Sequence, residues 1–80
     1  MQEDMRQRWI ELNAERIIRD DLKLTYWNAN TRQHEPAYRA RHPHTYQEAL
    51  ELSQYQLEYD EEHRLAPRYS LDDLTRNKDL

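Results

Sequence analysis

Apolar side chains recur at helical spacing in two long stretches of the chain, and a segment rich in proline, asparagine and histidine separates them. In the first stretch, Met5, Trp9 and Leu12 share one face. A second set lies on a face roughly opposite and consists of Ile10, Ala14, Ile17 and Ile18. Two apolar stripes on one helix are typical of a helix that packs between two surfaces. The pattern predicts a first helix over about residues 2–24.

The second stretch, residues 45–62, begins with Thr-Tyr-Gln-Glu, which is a capping box. In this motif the hydroxyl of Thr45 accepts from the N–H three residues on, and Glu48 reaches back. Pro43 lies just upstream and is incompatible with the interior of the same helix. Apolar side chains again form two stripes, one of Tyr46, Ala49, Leu50 and Leu57 and the other, about opposite, of Leu52, Tyr55 and Tyr59. These features predict a second helix over about residues 45–62.

Residues 22–27 fit two structures. Leu22, Leu24 and Tyr26 alternate with Lys23, Thr25 and Trp27 as in a strand, but a helical row from the first stretch also continues through Leu22 and Tyr26. We favour helix to about Leu24, followed by an irregular exit. The alternative is an α+β arrangement in which residues 22–27 form a hairpin with residues 37–42. Such a hairpin is marginal unless a helix covers it.

The remaining segments complete a mainly α fold. Residues 28–44 are a Pro/His-rich linker, because Asn and Pro are turn formers. Ser70 and Asp73 resemble a second capping box, which predicts a short C-terminal helix from Leu71 to about Asn77. The fold class we expect is therefore two long helices plus this short helix, in one small interaction domain over residues 1–80.

Composition indicates a weak core. A chain of 80 residues buries only about 60% of the surface that its unfolded form exposes. Hydrophobic residues are 36% of the chain and charged residues 35%, and there is no cysteine to form a disulfide or a thiolate metal site. Small proteins of this kind often depend on oligomers or partners. Glycine is also absent, so no residue adopts a positive φ angle without cost, and tight type I′ hairpins and glycine phosphate loops are unlikely apart from what Asn28, Asn30 or Asn77 supplies.

The sequence contains little that indicates a catalytic site or a metal site. His42 and His44, with His34 and His63, are the candidate ligands, but structural zinc sites rely mostly on cysteine and no second paired motif exists. The paired aspartates lie where helix boundaries favour aspartate, and neither serine at positions 53 and 70 has a nucleophile motif around it. We therefore expect no enzyme, no metal and no cofactor.

Charge and hydropathy indicate which kinds of partner to expect, namely neither a membrane nor, in the main, a nucleic acid. The net charge is −4, no apolar run approaches the ~20 residues of a membrane span, and the N-terminus lacks the features of a signal peptide. We expect a cytoplasmic protein without a membrane partner. Arg32, Arg39 and Arg41 form a basic linker beside Tyr38, which is the composition of a nucleic-acid contact. The acidity of the whole chain disfavours that alternative.

The acidic, tyrosine-bearing second helix is the best candidate for function. It has no Lys or Arg between residues 45 and 62, and tyrosine is enriched at protein interfaces. We expect a small non-catalytic binding module, adaptor or regulator/inhibitor that docks this helix on a larger protein or complex with a basic groove, such as a nucleic-acid enzyme. A structural subunit or homodimer is the alternative. The predicted partner-binding residues are Trp9, Tyr46, Glu48, Glu51, Leu52, Tyr55, Glu58, Tyr59 and Glu62.

Overall fold

The computed structural model describes residues 2–77, and its architecture confirms the mainly α prediction. Two long helices and a short C-terminal helix are present, and the linker between the long helices contains a small antiparallel hairpin and a single helical turn. In chain order the elements are α1 (Glu3–Lys23), β1 (Thr25–Asn28), β2 (Gln33–Pro36), α2 (Tyr38–Arg41), α3 (Tyr46–Glu62) and α4 (Leu71–Asn77).

The hairpin lies close to the place where the alternative pattern put it, but its second strand is different. Thr25 pairs with Pro36 and Trp27 with His34, so residues 33–36 form the partner strand and not residues 37–42. The side chain of Asn28 stabilises the short hairpin loop, because its Oδ1 accepts from the backbone N–H groups of residues 30 and 31. The chain then turns back at once, and residues 38–41 are left to form α2.

Apart from the exposed Met5 and the partly buried Ile18, the two apolar stripes of α1 are buried, and they belong to one broad surface. Trp9 and Leu12 pack with Leu57 of α3 and Leu74 of α4, whereas Ala14 and Ile17 pack with Ala49 of α3. At about 100° per residue, the buried arc covers roughly 200° of the helix circumference. The two stripes were predicted to lie on roughly opposite faces, but the buried Asn13 lies between them and joins them into one surface.

A chain of buried hydrogen bonds crosses from α1 to α3. Asn13 donates Nδ2 to Oγ of Ser53 at 3.0 Å and to Oε1 of Gln56 at 2.9 Å. Its Oδ1 accepts from Nε of Arg16 at 2.9 Å. Ser53 in turn donates to the carbonyl oxygen of Ile10 at 2.7 Å. These bonds satisfy polar groups that would be costly to bury unpaired.

The two ends of α3 are both capped by local bonds. At the N-terminus, Thr45 Oγ1 accepts from the N–H of Glu48 at 3.2 Å and Glu48 Oε1 accepts from the N–H of Thr45 at 2.9 Å, as the capping box predicted. At the C-terminus, the N–H of Arg64 donates to the carbonyl of Glu61 and the N–H of Leu65 to that of Asp60. This pair of bonds is a Schellman motif.

Among the described residues, positive φ angles occur at two arginines. Arg32, in the hairpin loop, and Arg64, after α3, both have φ of 55°. Each position follows a turn whose backbone bonds demand a left-handed residue, and the chain has no glycine to supply it. Hydrogen bonding of the backbone, and not side-chain preference, therefore decides these two positions.

The described part of the chain is elongated, with principal extents of 50 × 28 × 22 Å. Within residues 2–77, each helix is too short or too polar to cross a membrane.

Candidate protein-binding face

α3 has one buried side and one open side. Its buried residues are Ala49, Ser53, Leu57 and Asp60. On the other side Leu52 and Tyr59 are each 38% exposed and Tyr55 is 64% exposed. At about 100° per residue, the open side is an arc of roughly 120°. We name it the acidic tyrosine face, and its members are Glu48, Glu51, Leu52, Tyr55, Glu58, Tyr59 and Glu62.

Aromatic rings form a row along this face. The ring centroids of Tyr55 and Tyr59 lie 6.4 Å apart, with an interplanar angle of 36°. The ring of His63 stacks on that of Tyr59 with centroids 4.0 Å apart. Its Nδ1 also lies 2.9 Å from the carbonyl oxygen of Tyr59, which fixes the ring at the helix end. His63 was not predicted as part of the site, although its spacing of four residues from Tyr59 was a usable signal.

Some carboxylates of α3 already have a cationic partner. Arg6 of α1 donates Nη2 to Oε1 of Glu61 at 3.0 Å and lies 3.9 Å from Glu58. The hydrogen bond from Arg6 is the main reason that the pKa of Glu61 lies below its ordinary value. The buried Asp60 lies 3.4 Å from Nε of Arg68. These contacts explain why several acids near the C-terminus of the helix are tolerated despite the helix dipole.

Three carboxylates of the face have no such cationic partner among the described residues: Glu48, whose Oε1 is engaged in the helix cap, and Glu51 and Glu62. Among residues 2–77, no Lys, Arg or His side chain lies within salt-bridge distance of Glu51 or Glu62. Both side chains are exposed. The unpaired negative charge of α3 therefore lies beside the tyrosine row.

An open groove of about 320 Å³ adjoins the N-terminal half of the face. Its lining combines Leu52 and Tyr55 with charged and polar groups from α2, the linker and α3, namely Arg39, His44, Glu48 and Glu51. The groove is a local depression on an exposed surface. Its walls are mostly charged and polar, and Leu52 and Tyr55 are its apolar members.

His44 is held in this groove by a buried carboxylate of α1. Oδ2 of Asp21 lies 2.6 Å from Nδ1 of His44 and accepts from its backbone N–H at 2.9 Å. Because a carboxylate only accepts, Nδ1 carries the proton. Burial by itself raises the pKa of Asp21, but the bonds from His44 and the charges of His44 and Arg39 outweigh it and leave that pKa below its ordinary value.

Two predicted partner-binding residues do not lie on the face. Trp9 is 0% exposed in the core, and its Nε1 donates to the carbonyl oxygen of Tyr69 at 2.7 Å. It cannot contact a partner in this fold, so its prediction as an anchor was wrong. Tyr46 points toward α1, where burial and then the charges of Glu11 and Glu15 raise its pKa. It is about half exposed and lies on the α1 side of α3, roughly opposite the face.

The arginines of the linker do not form one stripe. Arg32 lies at the hairpin loop, whereas Arg39 and Arg41 lie on the single turn of α2. Residues two apart on a helix do not share a face. Arg39 is also engaged locally, since its Nη1 donates to the carbonyl oxygen of His42 at 3.2 Å. The geometry gives no continuous basic track.

The histidines lie against aromatic rings or carboxylates, far from a common centre. His34 contacts Trp27 edge to face and His42 lies against Tyr38, while His44 and His63 are held as described above. Over the described range 2–77, no group of three or more His, Asp or Glu side chains is arranged to hold a metal ion.

A second exposed apolar group lies around the hairpin, and sequence reasoning did not assign it. Leu22 is 58% exposed, Leu24 45% and Trp27 57%. The alternation of residues 22–27 was the signal that could have located it, because a two-stranded hairpin leaves apolar side chains on open faces.

Comparison with known proteins adds no further guide: no protein-family model, no curated protein and no solved structure matches this chain.

Proposed function

We propose that this protein is a small non-catalytic binding module that docks the acidic tyrosine face of α3 on a larger protein or complex. The observation that carries the proposal is the exposure of Leu52, Tyr55 and Tyr59 on a helix whose opposite side packs in the core through Ala49, Ser53 and Leu57. A contiguous exposed apolar patch with a polar rim is typical of a protein interaction site. A cytoplasmic location stays a prediction.

The composition of the face supports this role. Tyrosine is among the residues that most often anchor interfaces, because its ring buries a large area and its hydroxyl keeps a polar contact. The surrounding carboxylates would orient the partner and exclude acidic surfaces. A partner with a basic groove fits this arrangement, and the module would regulate or inhibit whatever activity that groove serves.

The test is a photo-crosslinking and capture experiment on the full chain. A benzoyl-phenylalanine at position 55 should crosslink a specific protein, whereas the same group at position 38 should not. Tyr38 is the matched control because it is also 64% exposed and lies off the face. The double variant Tyr55→Ala/Tyr59→Ala should lose the captured protein. Capture at full strength by that variant would refute the proposal.

A homodimer or structural subunit is the second candidate, and the exposed apolar group around the hairpin favours it. The open edges of β1 and β2 provide unpaired backbone groups for strand pairing. Sedimentation equilibrium on the purified chain would show a dimer that Trp27→Ala weakens and the Tyr55→Ala/Tyr59→Ala variant does not. A monomer at all concentrations would exclude this candidate.

A further inference from the structure

We infer that the acidic tyrosine face binds an arginine-bearing helix of its partner, with guanidinium groups stacked on Tyr55 and Tyr59 and paired with Glu51 and Glu62. This inference rests on the proposed function and deepens it, because it names the chemistry of the partner.

Charge complementarity selects a cationic partner. Residues 45–62 contain six acids and no Lys or Arg. Asp60 and Glu61 are paired within the chain, and Glu48 is engaged in the helix cap. Glu51 and Glu62 keep unpaired charge within the described residues, and both lie within about 40° of Tyr55 around the helix axis. The open side of α3 therefore combines unneutralised carboxylates with aromatic rings.

The rings favour arginine over lysine. A guanidinium is planar, so it can stack on a tyrosine ring while its edge N–H groups reach a carboxylate, whereas an ammonium makes only point contacts. The protein already makes both contacts elsewhere. The guanidinium of Arg16 lies 4.4 Å from the ring centroid of Tyr69, and that of Arg6 bonds Glu61 through Nη2. The same geometry is left open at Tyr55, whereas one face of the Tyr59 ring is already covered by His63.

The spacing of the rings favours a helix as the segment that carries the arginines. Tyr55 and Tyr59 are one helical turn apart, and their centroids are separated by 6.4 Å. Arginines four residues apart on a partner helix have nearly this spacing, about 6 Å along the axis. The face from Glu48 to Glu62 is roughly 21 Å long at 1.5 Å per residue. A helix of about 15 residues would cover it.

The test uses designed peptides and the full chain. An alanine-based helical peptide of about 15 residues, with arginines at i, i+4 and i+8, is labelled and titrated by fluorescence anisotropy. A lysine version keeps the charge, and a citrulline version keeps the shape without the charge. We expect the arginine peptide to bind roughly fivefold more tightly than the lysine peptide, and the citrulline peptide not to bind.

Variants of the chain locate the contact. Tyr55→Leu/Tyr59→Leu keeps apolar side chains without the rings and should weaken the arginine peptide roughly fivefold. Glu51→Gln/Glu62→Gln should weaken it and flatten its salt dependence. Tyr38→Leu should change nothing, and far-UV circular dichroism confirms that each variant is folded.

Two results would overturn the inference. One is equal affinity for the arginine and lysine peptides together with no effect of the tyrosine variant, since charge alone would then explain binding. The other is no binding of the arginine peptide at millimolar concentration. If either result appears while crosslinking at position 55 still captures a protein, the proposed function stands and only the arginine chemistry fails.

Discussion

At the residue scale, polar side chains decide how the two long helices meet. Asn13 and Ser53 are fully buried and bonded to each other across the interface. A buried polar group left without its partner costs about 1–3 kcal/mol, so a slipped helix pair would be penalised at this point. The apolar pattern alone could not identify this contact, because Asn and Ser on a helix are ordinary surface residues until another helix covers them.

Asp21 gives a pH-dependent prediction at this scale. Its pKa in the folded chain lies below the ordinary value, so the stability that its carboxylate contributes is present above the unfolded-state pKa of about 3.9 and is lost as pH falls through the folded-state pKa. In urea unfolding, wild type should therefore exceed Asp21→Asn in stability at pH 5, and the excess should shrink below about pH 4.

The matched control for this experiment is Asp20→Asn, which changes the neighbouring exposed carboxylate of the same helix. Exposed pairs contribute little, so this variant should remain within about 0.5–1 kcal/mol of wild type at each pH. An Asp21→Asn difference that is constant from pH 5 to about pH 2.5 would contradict the assigned role of the Asp21 carboxylate.

At the element scale, α3 is stabilised by side-chain hydrogen bonds at its N-terminus and by backbone hydrogen bonds at its C-terminus. The capping box at Thr45 is formed by the side chains of Thr45 and Glu48, so it can be identified directly from the sequence. The Schellman motif at its C-terminus is made by backbone groups, and its left-handed position is occupied by Arg64. Glycine is the usual residue there, because a Cβ atom disfavours the left-handed conformation.

Replacement of this arginine should therefore stabilise the protein. We expect Arg64→Gly to raise the free energy of unfolding by roughly 0.5–1 kcal/mol, the left-handed penalty less the extra freedom of glycine in the unfolded chain. Chemical denaturation at constant pH measures the change. Arg64→Ala is the control, since it removes the same charge but keeps Cβ and should give no gain. Equal gains from both variants would assign the effect to charge and not to backbone conformation.

At the scale of the whole molecule, α1 is the central element and the core is small. It packs against α3 along its length, against α4 near its N-terminal half and against α2, so its broad buried surface is shared among these helices. With eight buried hydrophobic residues within residues 2–77, the core has little redundancy. Stability and binding are thus expected to reside on opposite sides of α3.

Two leucines of α3 test that separation. Leu57 is 1% exposed and Leu52 is 38% exposed. Leu57→Ala should lower the free energy of unfolding by about 2–5 kcal/mol, because it leaves a cavity beside Trp9. Leu52→Ala should change it by about 0.5 kcal/mol or less. Thermal and urea unfolding monitored by circular dichroism measure both variants, and a large loss in Leu52→Ala would show that the face is part of the core.

Much of the fold could be predicted because its signals are local. The helix bounds, the capping box at Thr45 and the two-sided pattern of α3 each depend on residues within a few positions of one another. The hairpin was harder, because the turn that selects its second strand depends on the side chain of Asn28 and not on apolar alternation. Most residues of the candidate face were predicted because residues three and four apart on a helix share a side. Trp9 and Tyr46 were predicted but do not lie on the face, and His63 was not predicted.

The sequence by itself determined which segments are helical, where α3 begins and which of its residues share a face, since these properties follow from spacing and local hydrogen bonding. Only the tertiary structure decided which apolar stripe of α3 is buried and which remains open. Both stripes are apolar enough to pack, and the choice depends on where α1 lies, which nonlocal contacts such as Asn13 with Ser53 determine. The same contacts bury Trp9 and leave Tyr55 exposed, although the two aromatics look alike as candidates in the sequence.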